Sequence, residues 1–203
     1  LGATRVFTIG NSSSTTEELT VSALVSGATF GITKDGAGTL VLSNSGNSYT
    51  GNTSLTNNAS TGIIRSGADN VLPNASTLAP AGNGTIDLAG FSDTVNGTGA
   101  NAIFFGLNSV GQTMTIATGA GTLTIGGNIG QDSNGFGTKA ITGNLNLGGA
   151  TRTIQANGGL LDISAIVSNG GFTNPANLRL SGANIFAGGI SLTGNTTQMG
   201  IDP

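Results

Sequence analysis

A chain of 203 residues with 7% charged side chains and a formal charge of −3 carries too few cations for a nucleic-acid or anionic-lipid surface. Cysteine and histidine are both absent, which removes disulfides, the usual zinc ligand sets and any serine–histidine triad. The 36 glycines, eight phenylalanines and single tyrosine leave room only for a thin aliphatic core spread along the chain.

Glycine interrupts every window of helical length, and no i, i+3, i+4 apolar stripe occurs. Strand signals recur instead. The first are a segment ending near Ile9 and one starting at Leu19, with Glu17 and Glu18 in a solvated loop between them. Thr39–Ser43 alternates next, followed by Gly84–Leu88, Thr113–Ile116, Thr122–Ile125 and Asn144–Leu147. Each run is bounded by Gly, Asn, Asp or Ser, residues that tolerate left-handed backbone at turns. Alternation puts Leu40 with Leu42, and Ile86 with Leu88, on one face, and Thr or Asn on the other. No run approaches the roughly 20 apolar residues of a membrane span.

The chain also repeats itself at long range. Leu19–Gly27 recurs as Leu161–Asn169, and Thr4–Phe7 as Thr151–Ile154. Leu40–Ser43 recurs as Leu178–Ser181, and Gly51 with Ser54–Thr56 as Gly188 with Ser191–Thr193. Between copies Val41 becomes Arg179 and Thr20 becomes Asp162, which predicts that those positions face water. Phe7, Leu19, Val21, Val25, Leu40, Leu42 and Leu55 are expected to face the core, with their later counterparts. One unit over about 1–95, intervening coils over 96–144 and an incomplete second unit over about 145–203 follow. Because the second unit stops at Pro203 and the chain opens at Leu1, the expectation is one segment of a longer array.

Sandwiches and up-and-down barrels usually carry larger aromatic core residues and two-residue hairpin turns. Short alternating strands, small core residues and Asn/Gly corners fit a parallel β-helix, an all-β solenoid. At about 20 residues per coil it would have about ten coils and a length of about 50 Å.

The order of elements in Gly36–Ser43, Asn47–Gly51, Gly62–Pro73 and Gly84–Gly90 resembles the autotransporter passenger-associated repeat of bacterial surface proteins. The likeness is close over 31–95 and partial over 178–193, where Ile185–Gly188 replaces the Tyr-Thr-Gly turn. The resemblance implies a right-handed parallel β-helix in a secreted or surface-displayed passenger of a Gram-negative-type bacterium, and it implies no particular activity.

Candidate chemistry is sparse. Lys34 and Lys139 could serve a serine–lysine pair, but neither stands in a Ser-x-x-Lys arrangement and both read as solvated charges. Asp87 and Asp93, or Glu17 and Glu18, could form a glycan-cleaving carboxylate pair; turn or outer-face positions are the simpler reading. Asp35-Gly36 and Asp132–Gly135 are single acidic turns with too few oxygens in series for calcium. No catalytic, cofactor-binding or metal residue is therefore assigned. The expected function is a non-enzymatic structural or adhesive rod or filament segment. Its partners would be other copies of itself, stacked head to tail or laterally, or cell-surface and glycan targets. The alternatives are a polysaccharide-active β-helix enzyme, a glycan-binding module or, from Thr113/Thr115 and Thr122/Thr124, an ice-binding face.

Overall fold

The structure, a computed structural model, describes residues 1–56, 61–155, 158–174, 177–185 and 187–192. Phe186 and Thr193, invoked in the second repeat copy, and Pro203 lie outside the described residues.

The chain winds into a three-sided parallel β-solenoid. Among the described residues there is no helix, and every strand pairing is parallel. The first face holds Arg5–Thr8, Ile32–Asp35, Thr53–Leu55, Leu78–Ala79, Asn101–Phe105 and Asn128–Gln131. A bridge from Ile129 to Ile154 adds a further rung. The second face climbs from Leu19–Val21 through Thr39–Leu42, Ile63–Ser66 and Thr85–Asp87 to the start of Thr113–Ile125. It continues into the start of Thr138–Thr153, then Leu161–Ile163 and Leu178–Leu180. The third face carries Ser26–Gly27 on Ser48–Tyr49, and Asp93–Val95 on the second half of Thr113–Ile125. Thr138–Thr153 and Ile166–Asn174 extend that face.

Alternation builds the core. On the second face one inward row runs Leu19, Leu40, Ile64, Ile86, Ile116, Ile141, Ile163, Leu180. On the first face a row runs Ile32, Thr53, Leu78, Ile103, Ile129, Ile154. Each fully buried aliphatic side chain stabilises the fold by about 1.5–3 kcal/mol. A slender interior can accept only one such side chain per rung from each row, which is why aromatics are few. The expected inward residues are there: Leu40, Leu42 and Leu55 are buried, and Phe7, Leu19, Val21 and Val25 pack partly buried against the same core.

Three expectations are corrected. The second-face ladder has eight rungs and hence seven turns, rather than ten coils, because a turn takes 21 residues from Leu19 to Leu40 and 30 from Ile86 to Ile116. The corner segments consume the surplus, and the stack is about 34 Å tall at the inter-strand spacing. Val41 sits in the outer row yet is 4% exposed. Its row runs Thr20, Val41, Arg65, and the ion pair from Arg65 back to Glu17 crosses its layer at 3.7 Å. Finally, Lys34 and Lys139 are fully buried rather than solvated. Lys34 occupies the inward row between Phe7 and Leu55, and Lys139 the one between Met114 and Leu161.

Candidate functional site

Both lysines lie at the corner joining the first face to the second. The strand before that corner ends at Asp35, and the strand after it begins at Thr138. The four-carbon stem fills the core row, and the ammonium turns into a cage of carbonyl oxygens from the glycine-rich corner. Lys34 Nζ donates to Asp35 O at 3.1 Å and Gly36 O at 2.5 Å. Lys139 Nζ donates to Gly135 O and, at 3.0 Å, to Gly137 O. Burial lowers both pKa values, that of Lys139 to about 8. These ammonium groups tie down corner carbonyls. The surrounding sequences, Lys34-Asp-Gly-Ala-Gly38 and Gly135-Phe-Gly-Thr-Lys139, hold the only signal for this role: a lysine beside Gly-x-Gly, in a strand's inward register.

The carboxylates are dispersed. Asp87 lies on the outer row, accepts from Arg65 Nε at 3.0 Å and accepts the N–H of Ala89 at 2.8 Å. Asp93 departs from its expected turn or outer-face position. It stands in the inward row with Leu123, Leu145 and Val167, 2% exposed, and accepts the N–H groups of Leu72 and Thr94, each at 2.9 Å. Burial pushes its carboxyl up to about 6. The two acids belong to different faces and do not form a pair.

Glu17 joins Arg65, while Glu18 reaches across a layer to accept the Thr39 N–H at 2.6 Å and holds Ser12 N–H at 3.0 Å. Those backbone donors keep Glu18 below the usual carboxylate range. Glu18, half-buried at the end of an exposed loop, thus ties that solvated segment to the corner. Asp35 accepts from the Thr56 hydroxyl at 2.6 Å, and Asp132 accepts the Asn134 N–H at 2.8 Å. Among the described residues no three His, Cys, Asp or Glu side chains converge.

An extended concavity lies elsewhere. A groove of about 660 Å³ runs along the first face and the corner leading into it. Its lining climbs the rod: Thr4, then Thr29 and Thr33, then Thr50, Asn52 and Ser54, then Ala75, then Thr98. A second hollow of about 220 Å³ continues past Asn52 and Thr98 to Phe104. Thr33 and Ser54 are register neighbours with hydroxyls 2.9 Å apart, and the Thr77 and Thr98 hydroxyls lie 3.2 Å apart. The corner is tight because Gly31 stacks on Gly51: a Cβ on Gly31 would lie 2.1 Å from Asn52 O. At Thr29 the backbone is left-handed, φ 65°, a conformation that a β-branched residue rarely adopts. Its N–H donates to Thr50 Oγ1 at 2.7 Å and holds that shape. The groove was not read from the sequence: its residues come from five turns, and although Thr4, Thr29, Asn52, Ala75 and Thr98 follow at steps of 25, 23, 23 and 23, their types differ and form no motif.

The threonine rows considered for ice binding are short. Thr85 pairs with Thr115, but the next residue in that row is Ala140, and Thr94 and Thr124 are followed by Asn146.

These features define a parallel β-solenoid with an uncharged groove running along its axis. No family model matches the chain, and no curated protein or solved structure matches it either.

Proposed function

We propose that this chain is a non-enzymatic adhesive rod, part of a secreted or surface-displayed bacterial protein resembling autotransporter passengers. One observation carries the reading: the extended concave surface is uncharged and crosses five turns of a solenoid, a shape suited to holding an elongated partner by repeated weak contacts. The acids support it, because Asp87, Glu17 and Glu18 bind Arg65 or backbone donors, and Asp93 is buried under its own turn. The lysines support it too, since both ammonium groups are engaged with corner carbonyls. A solenoid also leaves strand edges at its ends, which further coils or a second rod would pair.

The test is attachment. Purified chain coated on beads should bind to host-cell or bacterial surfaces, saturably and in competition with soluble chain. Failure to bind any surface, together with turnover of a polysaccharide, would replace the adhesive reading with an enzymatic one.

A further inference from the structure

Resting on the adhesive reading, we infer that the first-face groove is a binding site for a neutral linear oligosaccharide lying parallel to the rod axis.

Every residue lining the groove and its continuation is uncharged. Hydroxyl and amide side chains both donate and accept, as the hydroxyls of a sugar do. A cationic or anionic polymer would find no countercharge here, and the chain's net charge of −3 repels polyanions weakly. The groove crosses five rungs, a length of about 19 Å at the inter-strand spacing, enough for several pyranose rings in an extended chain. Among the described residues the Thr29 hydroxyl and the Asn52 amide make no hydrogen bond, so both are available to a ligand. Asn52 lines both hollows and sits where they meet. Phe104 is exposed at the far end, in the outward row beside Ala79 and Gly130. The ring leans over Gly130, where a Cβ would come within 3.0 Å of its Cδ2, and its exposed part is a platform for the apolar face of a sugar. The strained Thr29 backbone adds a separate indication, because such conformations collect at ligand sites.

The experiment titrates the intact chain with neutral β-linked glucans, neutral mannans and, in parallel, a polyuronate and a sulfated glycan, by calorimetry. At least one neutral oligosaccharide should bind, and affinity should rise with chain length until the groove is filled. Phe104→Ala and Asn52→Ala should each weaken binding by about tenfold, the loss of one stacking or hydrogen-bonding contact. Phe136→Ala, an exposed aromatic elsewhere on the rod, should not. If Asn52→Ala does not fold, Asn52→Gln, which keeps the amide but displaces it, takes its place. Binding only to the charged glycans, or equal affinity in all variants, overturns the groove assignment. Surface attachment that survives in Phe104→Ala and Asn52→Ala would overturn the groove while leaving the adhesive reading intact. Loss of attachment in the unmodified chain would remove that reading itself.

Discussion

At the scale of single residues, this protein places polar and titratable groups inside a narrow apolar interior and satisfies them with backbone. Asp93 is the test of that economy. Its folded pKa of about 6 is raised above the ordinary 3.8 by burial. The folded state therefore holds a proton that the unfolded chain has released between those values. Its contribution to stability is fully present below about pH 4 and is lost as pH rises through about 6. The difference amounts to about 3 kcal/mol at most. Denaturant titrations from pH 3.5 to 7 should show that slope, and Asp93→Asn should flatten it.

Lys139 behaves with the opposite charge. Its folded pKa of about 8 lies below the ordinary 10.5, so the folded chain releases a proton first and stability rises as pH climbs above about 8. Tyr49 opposes this above pH 10: its hydroxyl is buried and bonded to Thr53 at 2.7 Å, and burial pushes its pKa up. A stability maximum near pH 10 is the expected result. Lys139→Ala should reduce the alkaline rise, leaving the part due to Lys34, and cost about 3 kcal/mol, through a cavity beside Met114 and Leu161 and unpaired carbonyls at Gly135 and Gly137.

At the scale of the element, corners carry the specificity. Asn47 spans three turns: its Oδ1 accepts Val25 N–H at 2.9 Å and its Nδ2 donates to Val71 O at 3.0 Å. Asn47→Ala would strand both backbone groups and should destabilise by about 2–4 kcal/mol in chemical denaturation. The second repeat copy uses the same device, with Asn184 Oδ1 accepting Val167 N–H at 3.1 Å. Thr29 is the inverse case. Replacing it with glycine should relieve the left-handed strain and raise stability by about 0.5–1 kcal/mol, a gain read from the thermal midpoint.

The repeat itself shows what an element preserves. Leu19–Val21 pairs with Leu40–Leu42 just as Leu161–Ile163 pairs with Leu178–Leu180. Yet the row of Leu19 climbs to Leu180, whereas the sequence counterpart of Leu40 is Leu178. The copies are displaced by two residues, a shift that keeps every side chain on its own face.

For the whole molecule, stability should be that of a stack in which each turn contacts only its neighbours. The central inward residues Ile64, Ile86, Ile116 and Ile141 are buried, while Leu19 and Val21 of the first turn are only partly so. Amide exchange should therefore be slowest across the middle turns and fastest at Leu19–Val21. Uniform protection along the rod would contradict a nearest-neighbour stack.

The solenoid was legible without coordinates, because strand alternation and turn residues are local, and a face is decided by parity alone. Parity alone therefore placed Leu40 and Leu42 toward the core and Val41 in the outer row, whereas the pairing of Leu19–Val21 with Leu40–Leu42 and of Leu161–Ile163 with Leu178–Leu180 came from the structure. What the sequence could not determine was anything set by the length of a turn. Thr4, Thr29, Asn52, Ala75 and Thr98 fall on one line at steps of 25, 23, 23 and 23 residues, but the residue type changes from step to step, so nothing in the sequence marks them as one row until the winding is known. The lysines escaped for a related reason. A charged residue reads as solvent-facing until a carbonyl cage is built around it, and Gly36 and Gly137 meet their ammonium groups only when the corner closes. Parity is a property of adjacent residues, whereas a groove and a cage belong to separate turns, and only the winding of the chain brings those together.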